Sequence, residues 1–300
     1  MPLEGFYCPD GEKVQLEDCL KECRLGERCL TLPTLVSISR EREWSGVAST
    51  TQLLNGTMLE FLKLTQSYYI DPDSRAFMLS GSKHHRELEQ VAKDLGLAAE
   101  IPMSIDRDIF DLIEFEGKEL ILTDYKLWGS FRIAQALGIV ECGKVPDPSG
   151  EVYKSSGKWG KAGTTKMVSA FTTDPARADN IDAELQLNRY RVMLEELGIR
   201  VDGMRLQVTV RDGGLYIAKN RGVYRNTYKI GVRKLDNDAV RLYFTTKEMN
   251  LRDALAAGEW NMPCTVSESW DGIRCARFCE VAQFCPKGQV VADIGVRYEN

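Results

Sequence analysis

The sequence predicts an α/β core carried between two cysteine-rich helical modules. Three observations lead there. Eight of the nine cysteines form two quartets of one spacing, C-x10-C-x3-C-x5-C, one towards each end of the chain. Between the quartets, helical and strand periodicities alternate. Two apolar strand patterns, 109–115 (IFDLIEF) and 119–123 (ELILT), flank Glu116-Gly117-Lys118, a hairpin signal.

Taken in order, residues 1–48 hold the first quartet, Cys8, Cys19, Cys23 and Cys29. Residues 49–258 form the core. Ser49 stands where a helix cap is wanted, ahead of TTQLLNGTMLEFLKL. A second helix fits SGSKHHRELEQVAKDLG and ends near Gly96. The hairpin follows, then a helix over 130–137. Residues 141–176 are rich in Gly, Ser, Thr, Pro and Lys with little periodicity, which predicts a long inserted loop. DNIDAELQLNRYRVMLEELG reads as a strong helix closed by Gly198, LQVTVRD (206–212) as a strand, Gly213-Gly214 as a turn and 236–257 as a helix. Residues 259–300 hold the second quartet, Cys264, Cys275, Cys279 and Cys285. In each module the second and third cysteines are four apart, which predicts one face of a short helix. The ninth, Cys142, is expected to be a packed core thiol.

The chain has 300 residues, 43% hydrophobic and 28% charged, proportions of a globular protein with a sizeable core. No apolar run approaches the roughly 18 residues that a membrane span needs, so no membrane partner is expected. The start, MPLEGFYCPDGEKV, lacks a basic segment followed by an apolar one. A cytoplasmic location is therefore expected, where cysteines serve as thiols or metal ligands. A net charge of −5 argues against a uniformly basic surface but leaves room for local patches. Residues 152–173 carry Lys154, Lys158, Lys161 and Lys166 around Trp159, with no acid. Residues 213–235 include Arg221 and Arg225 among tyrosines, again with no acid. Cations neutralise phosphates and aromatic faces stack on bases, so both stretches suit a nucleic-acid strand; solvated faces with ordinary tyrosine packing are the plainer alternative.

The chemistry centres on Asp111 and on Asp124-Tyr125-Lys126, in the two hairpin strands. A bare carboxylate in an apolar strand is costly, and two converging ones make a hard oxygen site for Mg2+ or Mn2+. Asp124 and Lys126, two apart on a strand, share a face, where a lysine can orient a metal-bound water. An isolated D-x-K is more often a buried salt bridge. Here it has company. Upstream, Gly81, His84 and His85 sit in a helical pattern, with Glu89 one turn beyond His85; a surface histidine pair is the plain reading, a third metal ligand the functional one. Downstream, Gln186 and Tyr190 share a helix face.

This ordered set resembles the RecB-type branch of the PD-(D/E)XK nucleases: G-x-x-x-H from Gly81 to His85, a strand Asp at 111, (D/E)-x-K from Asp124 to Lys126, and Q-x-x-x-Y from Gln186 to Tyr190. The resemblance spans about residues 49–212 and is similar to that of the nuclease parts of DNA-repair helicase-nucleases and of the CRISPR adaptation iron–sulfur nucleases. It implies a restriction-endonuclease-like core, a mixed sheet flanked by helices, hydrolysing DNA phosphodiesters with Mg2+ or Mn2+. It further implies His85, Asp111 and Asp124 as metal ligands, the Tyr125 carbonyl as another, and Lys126 serving the attacking water. The chain departs from the branch in the long gap between Lys126 and Gln186 and in its cysteines. Iron–sulfur relatives place one ligand before the histidine helix and three near the C-terminus; here each end has four. Four thiolates suit tetrahedral Zn2+ or a [4Fe–4S] cluster, and the equal spacing predicts two self-contained sites. The C-terminal set resembles the family's iron–sulfur tail.

The expected function is a divalent-metal-dependent DNA nuclease acting on single strands or duplex ends, in repair, recombination or phage and CRISPR DNA processing. With no G-x-x-x-x-G-K-[ST] motif, any helicase or recombination motor is a separate partner. The alternative is a catalytically weak nucleic-acid-binding protein organised by its two four-cysteine sites.

Overall fold

The structure, a computed structural model, describes residues 3–102 and 108–291. The chain forms two compact units: Met1–Leu122 with Leu185–Asp202 and Lys234–Asn300, and Thr123–Glu184 with Gly203–Arg233.

The first unit opens with β1 (Leu3–Tyr7) and β2 (Lys13–Gln15), an antiparallel pair; β3 (Tyr68–Ile70) joins β1 in parallel, giving a mixed sheet of order β2-β1-β3. Around it lie α1 (Leu16–Lys21), α2 (Leu32–Ser39), α3 (Thr50–Leu54), α4 (Thr57–Thr65), α5 (Pro72–Ala76) and α6 (Met78–Asp94). β4 (Ala98–Pro102) pairs antiparallel with β5 (Ile109–Glu116). β6 (Glu119–Trp128) follows the turn in which Gly117 takes φ +66°, and it runs from the first unit into the second.

The second unit continues with α7 (Ser130–Leu137) and the antiparallel ribbon β7 (Ile139–Pro146) and β8 (Met167–Thr173). α8 (Ile181–Glu196) leads back to the first unit. β9 (Gly203–Val210), α9 (Tyr216–Lys219) and β10 (Thr227–Gly231) complete the second unit, and β9 pairs antiparallel with β10. The larger sheet has the order β10-β9-β6-β5-β4. α10 (Asn237–Ala257) and α11 (Ile273–Arg277) close the first unit. The chain is thus α/β, with sheets flanked by helices. Among the described residues, no helix is long and apolar enough to cross a membrane.

Several elements follow from local chemistry. Ser49 accepts from the Gln52 backbone N–H while the Gln52 side chain accepts from the Ser49 N–H, a complete capping box. The helix expected beyond it is two helices. Asn55 and Gly56 are extended, so the chain breaks between α3 and α4. α7 ends where Gly138 adopts the left-handed conformation, its N–H returning to Ala134 and Gln135. Asp236 caps α10 through the Ala239 N–H.

The core of the first unit gathers Leu35, Ile38, Leu53 and Tyr68, all nearly inaccessible, with Val240, Phe244 and Leu251 of α10. Cys19 from the first cysteine module and Val281 and Cys285 from the second are buried in the same cluster. Each large side chain so placed contributes about 1.5–3 kcal/mol of burial.

Three expectations need correction. The stretch 141–176 is not a structureless loop: β7 and β8 pair at its two ends, and Val152 and Thr165 extend the ribbon as an isolated bridge. Cys142, on β7, is exposed rather than packed. In both cysteine modules the short helix ends between the second and third cysteine, α1 at Lys21 before Cys23 and α11 at Arg277 before Cys279, so the pairs do not share a helix face.

Candidate active site and cysteine modules

In the first unit, α6 presents His85 and β5 presents Asp111. His85 Nδ1 stands 3.4 Å from Asp111 Oδ1. His84 lies edge-on to His85, their rings 6.3 Å apart. Burial, then the neighbouring His85, pushes the His84 pKa down, against a smaller opposing pull from Asp111. On α8 the Gln186 side-chain amide donates to the Tyr190 hydroxyl (3.3 Å), joining the two residues that helical spacing predicted on one face; Tyr190 is buried.

Sequence reasoning missed the acid beside them. Asp108, only 3% exposed, accepts from the Thr50 N–H (2.7 Å) at the start of α3 and faces Arg189 at 3.5 Å. The Arg189 guanidinium lies 4.5 Å over the Phe244 ring, and burial pushes its pKa down against the pull of Asp108. An acid just before a strand and an arginine inside a helical motif were the available signals.

In the second unit, β6 carries Asp124, Tyr125 and Lys126. Asp124 is 3% exposed, Tyr125 is buried, and Lys126 Nζ stands 2.7 Å from Asp124 Oδ2. Alternation along the strand puts Asp124 and Lys126 on one side, as expected. The contact pairs a buried carboxylate with the ammonium of a half-buried lysine.

The same unit holds the predicted nucleic-acid residues. Trp159 is 77% exposed at the far end of the ribbon, with Lys158 Nζ 5.6 Å from its ring centre. Lys154 and Lys161 are exposed. Lys166 is not available in the same way: Glu151, one residue outside the acid-free stretch, pairs with it at 2.9 Å. Arg221 donates to Ser130 Oγ (2.9 Å) and lies over Phe131; Arg225 lies over Tyr228. Asp212, unremarked in the sequence, accepts from the Ser130 N–H and hydroxyl at 2.6 Å each and so caps α7.

Both cysteine modules belong to the first unit. In the C-terminal one, Cys264, Cys275, Cys279 and Cys285 line one small cavity walled by Met58, Leu59, Leu62 and Val281. Burial pushes the Cys264 thiol up, opposed by the Leu59 N–H at the start of α4, and pushes Cys279 up to about 11, opposed by the Val281 N–H. In the N-terminal module, burial and then Cys8, Cys29 and Cys23 push the Cys19 thiol up, so these three lie within electrostatic reach of Cys19. Cys23 donates to the Glu27 carbonyl (3.1 Å). As placed, no three His, Cys, Asp or Glu side chains among the described residues form a group that could hold a metal ion. The donor types do suit metals: soft sulfur in each quartet, and hard oxygen with imidazole among His85, Asp111 and Asp124.

No family model and no curated protein matches the chain. Among solved structures, the crystal structure of SSO0001 aligns over 84% of this chain and 91% of its own, at 14% identity and a TM-score of 0.38. A superposition that loose carries no argument about fold or function.

Proposed function

We propose that the chain is a divalent-metal-dependent DNA nuclease with a restriction-endonuclease-like core, acting on single strands or duplex ends. The observation that carries the reading is the Lys126–Asp124 contact at 2.7 Å, with the carboxylate 3% exposed. A buried acid and lysine two apart on a strand are what the D-x-K motif needs, and His85 against Asp111 supplies the remaining motif pair.

In this reading His85 and Asp111, and Asp124 with the Tyr125 carbonyl, would be the ligands of Mg2+ or Mn2+, and the ion would supply an acidified water and neutralise phosphate charge. Asp111 fixes the His85 ring through Nδ1 and leaves Nε2 as the ligating nitrogen. Lys126 donates to the attacking water and to the charge that grows on the phosphate. The Gln186 amide donates to the Tyr190 hydroxyl and orients it, completing the Q-x-x-x-Y motif of this reading. Lys154, Lys158, Lys161 and Trp159 on the ribbon, with Arg221 and Arg225, meet the DNA backbone and bases. The two quartets hold Zn2+ or [4Fe–4S] clusters as structural centres, since four protein thiolates leave no open position for substrate. A helicase or recombination motor is the natural partner.

The test is cleavage of labelled single-stranded DNA with Mn2+ or Mg2+. Asp124→Ala should abolish it, and Lys126→Ala should slow it about 10²–10³-fold, both with wild-type thermal melting. Full activity in Asp124→Ala sinks the nuclease. Binding without cleavage in the wild-type chain would favour a catalytically weak nucleic-acid-binding protein.

A further inference from the structure

A cleft of about 610 Å³ lies in the first unit between the β1–β3 edge and the C-terminal cysteine module. Tyr7 and Tyr69 stand on one side; Arg277 and Phe278 belong to the other. The motif residues of the proposed nuclease site do not line it, and nothing in the reading above uses it.

The tyrosine wall is rigid. The Tyr69 ring packs on the Gly5 backbone so closely that a Cβ there would stand 2.5 Å from its Cε1. Its hydroxyl accepts from Gln15 (2.8 Å) and donates to Glu4 (3.4 Å). Tyr7 leans on it with ring centres 6.0 Å apart, and Lys13 Nζ stands 5.1 Å from the Tyr69 centre and 5.8 Å from that of Tyr7. Across the cleft Phe278 is 59% exposed, although a phenyl ring normally seeks cover.

The charges favour an anion. Of the acids lining the cleft, Asp71 is occupied in capping α5, accepting from the Asp73 and Ser74 N–H groups and the Ser74 hydroxyl. Glu280 is neutralised by Arg75 (2.8 Å) and Lys63 (3.2 Å). Arg277 makes no ion pair among the described residues. What remains for a ligand is aromatic surface and the Arg277 guanidinium, with Lys13 beside the two tyrosine rings.

We propose that this cleft takes an unstacked base of a single-stranded nucleic acid, with Phe278 and the Tyr7–Tyr69 pair offering ring faces and Arg277 a neighbouring phosphate contact. A pocket of this size holds a nucleotide, stacking tolerates any base, and a fixed ring loses little freedom on binding. The choice of nucleic acid over another anion rests on the nuclease reading; the cleft itself does not. It would hold a strand independently of the cleavage step.

The test is fluorescence anisotropy of a labelled oligothymidylate with the full chain, in the absence of divalent cations, across a salt series. Phe278→Ala is expected to weaken binding by about 5- to 100-fold, the range for one base stacked on an aromatic ring. Arg277→Ala is expected to flatten the log–log salt dependence by about 0.7, one phosphate contact. Both side chains are exposed, so neither truncation opens the core, and unchanged iron and zinc content confirms that the cysteine module is intact. Wild-type affinity and salt slope in both variants overturn the cleft. If Lys126→Ala meanwhile loses cleavage, the nuclease reading survives that loss. A wild-type chain that binds no single strand at low salt overturns the cleft, and the nuclease falls with it only if cleavage is absent too.

Discussion

A Cβ on Gly56 would stand 2.2 Å from the Cys264 sulfur. Gly56 itself has φ −63° and ψ 137°, a conformation open to any residue. The glycine is therefore required by the approach of the sulfur, not by the backbone. Gly56→Ala is expected to displace Cys264 from the start of α4 and to cost the C-terminal module its metal. Elemental analysis of anaerobically purified protein should give two tetrathiolate centres per wild-type chain and one in the variant. A brown wild type absorbing near ~400 nm would mean an iron–sulfur cluster, a colourless one with two zinc ions structural zinc. Two centres in Gly56→Ala would show that Cys264 is not a ligand.

His85 and His84 are adjacent but differently placed. His85 reaches Asp111, while burial keeps His84 in its neutral form to lower pH. His85→Ala is expected to reduce Mn2+-dependent cleavage by roughly 100-fold, and His84→Ala by less than about 10-fold. The reverse order would assign the ligand role to the wrong ring.

On the ribbon, Lys158 and Lys161 are exposed, whereas Lys166 is paired with Glu151. Charge reversal of Lys158 and Lys161 together should weaken single-strand affinity and flatten the log–log salt dependence by roughly 1.4, two phosphate contacts. Lys166→Glu should leave the slope near wild type. An equal effect from all three would mean that net charge rather than contact is being read.

Glu60 is 5% exposed and accepts from Asn55 (2.6 Å) and Gln52 (3.3 Å), yet burial outweighs these bonds and raises its pKa. The unfolded chain then loses this proton near pH 4.3 while the folded chain keeps it to higher pH. Stability from this group is full below that point and declines as pH rises towards the folded pKa. Glu60→Gln has no proton to lose, so it should melt higher than wild type at neutral pH. The difference should vanish below about pH 4. A variant that melts lower at neutral pH would show that both carboxylate oxygens are needed as acceptors.

The legible parts of the chain were those with strong local chemistry. Ser49 and the Glu116-Gly117-Lys118 turn each marked a real boundary, the helices expected over 130–137 and 236–257 form there, and alternation placed Asp124 beside Lys126. The β7–β8 ribbon was hidden because most of β7 beyond Val140 is exposed, so no period-two pattern of apolar residues develops. β10 escaped for a related reason: only Ile230 of its five residues is buried. β1 and β3 are too short to show a period. Asp108 and Glu60 look like surface acids until the chain is folded, because their partners, Arg189 for one and Asn55 and Gln52 for the other, are assembled by packing.

Glu280, three residues past the end of the second repeat's short helix, is gripped by Lys63 and Arg75, while Val281 and Cys285 belong to the same buried cluster as Leu35, Leu53 and Phe6. The consequence is one of timing. During synthesis the first hundred residues emerge early, but their core stays open until the segments after Lys234 leave the ribosome, on the order of ten seconds or more at ordinary translation rates. The strands and helices of Thr123–Glu184 are made in that interval. The nascent chain therefore passes through a period with apolar side chains and thiols uncovered, which makes it a natural client of chaperones and a poor candidate for expression as an isolated N-terminal half.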